Sequence, residues 1–342
     1  MSFKRNQSID ALKGLMILVI VLHHSQLIQF LHHGYLAVDV FFWISGVFLM
    51  QSFQKSERSA FEYTCHRIKK IILPYLLSFL LACILDYKHL LSFTSFDEFI
   101  SIYAPFSAFL TLTEELGPPL HSYVILVGGW YLSVLVIGGF LLYSLLEYDK
   151  KLATKIILPF GLILGFTFLF QSNSSIENFS KVGAINFPLL RGLLEMSSGA
   201  LLYSTLKRHS EVFNRHTAGF NILACLSYAL FICLLFTNNT LDAFTVITIP
   251  AILTGAFIQG SWLENAYNQS KLKLLPKLGE ISLEVYLIHS PALHIVHSTC
   301  KYMHLSIPTP ILVLLDLAFV IIAAILLKIF CNALIQHKAS VI

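Results

Sequence analysis

Apolar runs of about twenty residues recur along the whole chain, each bounded by short polar clusters. A helix rising 1.5 Å per residue needs about 20 such residues to cross a hydrocarbon core. On that spacing the chain reads as helices near 11–31, 35–54, 71–87, 123–146, 156–171, 187–206, 217–237, 243–263, 280–300 and 309–335. The expected fold is all-α: a polytopic transmembrane helical bundle of about ten crossings, with 1–342 forming one membrane-embedded domain. One stretch interrupts the series. Residues 88–122 are mixed in character and contain Pro105, Pro118 and Pro119, and 99–112 reads as a short interfacial or re-entrant helix.

Composition strengthens this picture. Only 12% of the 342 residues are charged and 56% are hydrophobic, where a soluble domain carries about 25% charged residues. Mean hydropathy is +0.74. The 28 Phe and 14 Tyr suit a lipid-facing surface with interfacial aromatics. The formal charge of +4 does not indicate nucleic acid, because the basic residues form short clusters between apolar runs. Six scattered Cys show no CxxC or metal-ligand spacing and read as small buried hydrophobes. The first apolar run carries Lys13, His23 and His24 and no small-residue cleavage site, so it reads as a retained helix rather than a signal peptide.

The basic residues also orient the chain. With the N-terminus in the cytoplasm and the segments alternating, 19 of the 23 Lys and Arg fall on the cytoplasmic side. They include Lys4, Arg5 and Lys13, the Lys55–Lys70 group, Lys150, Lys151 and Lys155, Lys207 and Arg208, and Lys271, Lys273 and Lys277. Lys88, Lys181 and Lys301 fall outside, and Arg191 lies within a crossing. So one-sided a distribution satisfies the positive-inside rule and puts both termini in the cytoplasm.

Polar residues stranded in the crossings are the candidate chemistry, since charge inside a bilayer is costly and is kept for function. Lys13 and His24 are eleven residues apart, about 1100° of helical rotation, and so lie within about 20° of one face and about 16 Å apart. Lys13 then sits near the cytoplasmic surface and His24 in the outer half. A path into the membrane and a snorkelling Lys13 are equally open readings. His23 points about 100° away and is an alternative imidazole. Asp39 opens the second crossing, and the short 31–34 turn brings it to the depth of His24. A carboxylate beside an imidazole orients it as a general base, and a structural ion pair is the other reading. Ser45 lies about two turns further in, as a hydroxyl donor or as a packing Ser-Gly pair with Gly46. Arg191 and Glu195 are four apart on one helix and are expected to pair. His289, beside Pro291, reads as a packed residue bonded to a freed carbonyl.

These residues carry a family resemblance. Ile9-Asp10-Ala11-Leu12-Lys13-Gly14 with His24 resembles the basic-x10-His motif of the acyltransferase 3 family of bacterial membrane acyltransferases. Gly34 through Val38-Asp39-Val40-Phe41-Phe42 to Ser45-Gly46 is similar to its G…V-D-(L)-F-F-x-x-S-G segment. Arg67-Ile68-Lys69-Lys70 resembles its R-x-x-R pair, with Lys for the second Arg. Arg191 through Glu195 to Gly199, and Leu278-Gly279-Glu280-Ile281-Ser282 through Tyr286 to His289, resemble its later helices. The five motifs occur in the family's order between residues 9 and about 295. In place of the common W-x-L-x-x-E helix the chain has Trp130-Tyr131-Leu132-Ser133-Val134-Leu135, without the acid, which weakens a carbohydrate-contact role there. No fused SGNH-type domain is expected.

The resemblance implies transfer of an acyl group, usually acetyl, from cytoplasmic acetyl-CoA or another acyl-CoA to a hydroxyl of a cell-surface or periplasmic glycan or glycolipid. The polyanionic donor, a co-substrate rather than a bound cofactor, needs cations on the cytoplasmic side, and Lys13, Arg67 and Lys70 supply them. His24, oriented by Asp39, with His23 as the alternative, would activate the acceptor or carry the acyl group. Ser45, Arg191, Glu195 and Trp130 are expected near the substrate or its carbonyl oxygen. No metal is expected. The expected partners are acyl-CoA, a glycan or lipid-linked sugar and membrane lipid, in a bacterial inner membrane. The competing class is a transporter or exporter, since intramembrane His, Asp and Arg also mark translocation paths.

Overall fold

A computed structural model describes residues 6–28, 30–113, 125–172, 181–182, 185–237, 241–258, 260–269 and 274–341. Lys4, Arg5, Lys271, Lys273, Pro118 and Pro119, and the 123–124 start of one expected crossing, lie outside the described residues.

The chain is helical almost throughout. In order it forms α1 (Gln7–Ser25), α2 (Leu36–Lys55), α3 (Ala60–Leu85), α4 (Tyr87–Leu90), α5 (Phe96–Thr111), α6 (Gly129–Tyr148), α7 (Lys150–Leu152) and, after a π-helical turn at Ala153–Ile157, α8 (Leu158–Ser172). A two-residue antiparallel ladder, Lys181↔Asn186 and Val182↔Ile185, precedes α9 (Phe187–Arg208). Then follow α10 (Ser210–Arg215), α11 (Thr217–Phe236), α12 (Thr245–Phe257), α13 (Trp262–Gln269), α14 (Leu274–Glu280), α15 (Ser282–Tyr302) and α16 (Thr309–Val341).

Each of the ten expected segments has a helix, but among the described residues seven helices are long and apolar enough to cross a membrane by length and composition. The three that fall short do so for physical reasons. α9 carries Arg191, Glu195, Lys207 and Arg208, and α15 carries Glu284, His289, His294, His297 and Lys301, which lower their hydropathy. α12 has only 13 residues, about 20 Å of rise. The exposed large side chains lie where lipid would touch them. Ile311, Leu314, Ile322, Leu326 and Ile329 line α16, and Phe160, Ile163 and Leu164 line α8. The chain is a multi-pass membrane protein.

The largest boundary difference concerns α3, which starts at residue 60 rather than 71. Ser59 and Glu62 form a reciprocal capping box that satisfies two of the orphan N–H groups at its start. Arg67, Lys69 and Lys70 therefore ride on the helix instead of preceding it. The cysteines are all free, but Cys225 and Cys233 are exposed on α11 rather than buried. In an apolar solvent a thiol on the lipid face carries little penalty.

Inside the bundle, α2 lies along α9 at very short range. A Cβ added at Gly46 would meet the Met196 carbonyl oxygen at 1.9 Å, and one at Gly199 would meet the Trp43 carbonyl oxygen at 2.0 Å. Between lipid-embedded helices the hydrophobic effect gives no net drive, so close backbone approach at small residues supplies the dispersion contacts instead. This seam holds Asp39, on α2, against Arg191, on α9.

Candidate functional site

The cationic residues converge first. Lys13 on α1, Arg58 just before the Ser59 cap, and His66, Arg67 and Lys70 on α3 ring the mouth of a cavity of about 460 Å³. Tyr63, Arg67, Lys70 and Ile71 recur at helical spacing, so one face of α3 forms a wall. Lys13 Nζ lies 2.7 Å from Asp10 Oδ1, one turn back. Arg67 Nη1 donates to the Tyr63 hydroxyl at 2.7 Å. The cavity extends between α2, α6 and α15 to Ile44, Ser45, Leu135, Tyr131 and Tyr286. Ser45 Oγ and Tyr131 OH lie 3.4 Å apart, two hydroxyls at the inner end. The expected grouping of Lys13, Arg67, Lys70 and Ser45 is therefore present in space.

The imidazoles stand one step beyond. The Tyr286 ring lies 5.8 Å from that of His289, which meets His24 at 4.8 Å in an edge-to-face contact. His24 Nδ1 is 2.9 Å from the Ile20 carbonyl and His289 Nδ1 is 2.6 Å from that of Tyr286. A carbonyl only accepts, so each Nδ1 carries the proton and each Nε2 keeps its lone pair, the form a base needs. The carbonyl that holds His289 is that of Tyr286, three residues back, and not that of Leu287, the one Pro291 leaves without its helical donor. His23 is tied elsewhere: its Nδ1 is 3.2 Å from the Leu31 carbonyl, and the imidazole braces the α1–α2 turn.

Asp39 does not orient His24, contrary to the sequence expectation. Similar depth left the direction around the helix axis open, and Asp39 turns toward α9. Arg191 Nε donates to Asp39 Oδ1 at 2.8 Å, and Nη2 donates to the same oxygen. Arg191 Nε also lies 3.5 Å from Glu195 Oε1, the expected i,i+4 pair. The guanidinium sits over two rings, at 5.6 Å from Trp130 and 5.9 Å from Tyr35. Trp130 is thus a wall of this charged cluster, and it does not line the cavity. Tyr35 extends the cluster outward, its hydroxyl donating to Asp242 Oδ2 at 2.7 Å, with His33 Nδ1 3.4 Å from Asp242 Oδ1. An intramembrane guanidinium with two carboxylates and two aromatic faces is a site where the desolvation cost is offset locally.

Several neighbours were missed by reasoning from sequence. Arg58 and His66 face the cavity mouth, and the capping box that starts α3 early is the signal that would have found them. Tyr131 and Tyr286 lie inside quoted motifs but were not singled out. The carboxylate–imidazole pair expected at His24 occurs instead between α15 and α16, where His297 Nε2 is 2.9 Å from Asp316 Oδ2.

No curated protein matches the chain, and no solved structure does. One family model, described as an acyltransferase domain, matches residues 6–329 and so spans every residue of the site above. The ordered motifs, the helical membrane bundle and that match lead to one assignment: the chain is a member of the acyltransferase 3 family, and hence an acyltransferase.

Proposed function

We propose that the chain is an O-acyltransferase of the bacterial inner membrane. It takes an acyl group, acetyl being the family's usual one, from acyl-CoA on the cytoplasmic side and passes it to a hydroxyl of a glycan or glycolipid. The observation that carries this reading is the cavity that changes character along its length: Lys13, Arg58, His66, Arg67 and Lys70 at the mouth, apolar walls, and Ser45 and Tyr131 hydroxyls at the inner end. A CoA thioester has the same order of chemistry. Its phosphates pair with the cations, its arm crosses the apolar part, and its carbonyl arrives at hydroxyl donors. The positive-inside argument supports a cytoplasmic mouth.

In the transfer step His24 Nε2 takes the proton of the acceptor hydroxyl as that oxygen bonds to the thioester carbon. The C–S bond breaks and the departing thiolate takes the proton from the imidazolium, so His24 is regenerated. Ser45 and Tyr131 donate hydrogen bonds to the carbonyl oxygen as it gains charge. Tyr286 stands between the cavity and the His289–His24 pair, so its ring turns aside when the thioester engages. The Arg191 cluster holds α2 and α9 in register and is a positioning element.

The test is acyl transfer from labelled acetyl-CoA by purified protein in lipid nanodiscs, alongside CoA binding. CoA binding that depends on Arg67 and transfer that depends on His24 are expected. Transfer surviving His24→Ala overturns the assigned base. Failure to bind CoA at all overturns the donor and favours a translocation role.

A further inference from the structure

A second basic cavity, of about 420 Å³, lies at the end of α2 and shares no lining residue with the first. Gln54 from α2, Lys150 from α7, Thr154 and Lys155 from the π-helical turn, and Lys207 and Arg208 from the end of α9 face into it. No carboxylate lines it among the described residues. Four like charges around one small cavity repel one another. The C-terminal dipole of α9 offsets only part of that, worth about 0.5 of an elementary charge. Lys207 Nζ spends one donor on Gln54 Oε1 at 2.7 Å. The Ser204 hydroxyl, also lining the cavity, is buried without a hydrogen-bond partner.

Two further features point to the ligand. The π turn, an insertion that recurs at functional positions, sets Thr154 and Lys155 toward the cavity. It also leaves Ile156 and Ile157 exposed, and Phe160, Ile163 and Leu164 continue that apolar surface along α8. The cavity is therefore polar and cationic, and the segment that supplies its Thr154 and Lys155 wall runs directly into a lipid-facing strip.

We propose that this cavity binds a phosphate-bearing ligand, with the headgroup of an anionic phospholipid of the adjacent leaflet as the occupant that the apolar strip favours. Lys150, Lys155, Lys207 and Arg208 hold the phosphate, Ser204 donates to its oxygens, and the acyl chains lie against Ile156, Phe160 and Ile163. Because the cavity joins the ends of α2 and α9, the bound headgroup braces the two helices that carry Asp39 and Arg191. The site does not depend on the identity of the acyl donor.

The test uses the full chain purified in a neutral detergent. Its thermal unfolding is followed while phosphatidylglycerol, phosphatidylcholine or inorganic pyrophosphate is added. Phosphatidylglycerol is expected to raise the midpoint saturably and phosphatidylcholine to leave it unchanged. In Lys155→Gln/Lys207→Gln the half-saturating concentration should rise about thirty-fold, from two charges lost at an anionic headgroup. Lys151→Gln, one residue from the cavity lining, should respond as the parent does. A pyrophosphate response with the same variant dependence, and none to phosphatidylglycerol, assigns the site to a soluble phosphorylated ligand. No response to either, or one indifferent to the double substitution, overturns the proposal.

Discussion

Arg191 and Asp39 are 152 residues apart in sequence and are joined by two hydrogen bonds to one carboxylate oxygen. Their side chains are 3% and 0% exposed. Removing one member of a buried pair strands the other, at a cost of about 3–5 kcal/mol. Arg191→Leu strands two buried carboxylates and should lower the thermal unfolding midpoint more than Asp39→Leu, which leaves Arg191 with Glu195, and replacing all three by Leu should recover much of the loss. Size-exclusion profiles after graded heating read this out. If Asp39→Asn abolished transfer at full thermal stability, the pair would have a chemical role in place of the structural one argued above.

His24 and His23 should separate cleanly. General-base catalysis contributes about 10²–10⁴-fold, so His24→Ala should lower acyl transfer by that factor with CoA retention and unfolding unchanged. His23→Ala removes the brace to the Leu31 carbonyl and should lower stability more than turnover per folded molecule. Parallel activity and unfolding measurements on the two variants decide it.

Arg67→Ala should act on donor affinity. A hydrogen bond to a charged group is worth about 1.5–3 kcal/mol, so KM for acyl-CoA should rise about 10- to 100-fold with a smaller change in kcat. Tyr63→Phe, which frees Arg67 of its hydroxyl partner, should have a milder effect of the same kind. Steady-state kinetics over a range of ionic strength checks both, since exposed cations at the mouth lose their pull as salt rises.

The α2–α9 seam predicts opposite outcomes for two identical substitutions. Gly199→Ala drives a methyl to 2.0 Å from the Trp43 carbonyl oxygen and should destabilise the fold by about 1–3 kcal/mol or more. Gly219→Ala, on α11, meets nothing within 4 Å. It should stabilise slightly, by about 0.5–1 kcal/mol, as the backbone loses freedom in the unfolded chain. Thermal unfolding of the two variants side by side provides the comparison.

Helix positions were legible because lipid contact requires long apolar runs, and the one-sided Lys and Arg follow from the same physics. The start of α3 was not read, since the His66–Lys70 cluster ended the apolar run although Ser59 and Glu62 announced a helix earlier. Membership of the acyltransferase 3 family was legible in five short motifs. Which side chain Asp39 meets was not. Helical periodicity gives depth and face within one helix, but the partner comes from α9, and no local pattern says how two helices are turned toward each other. His289 was undervalued for the same reason: its neighbour His24 arrives from the far end of the chain. The π turn at Ala153–Ile157 has no hydropathy signature at all.

The Gly46–Gly199 contact also bears on how the protein moves. Helices separated by a layer of side chains can slide or roll by changing rotamers. Two backbones in direct contact have no such lubricating layer, so α2 and α9 travel as a single rigid strut. Any opening that admits or releases a substrate must be made by the helices around that strut, with α3 and α15 the nearest to the cavity. A cross-link stapling α2 to α9 would then leave turnover intact, whereas one tying α3 to α15 would stop it.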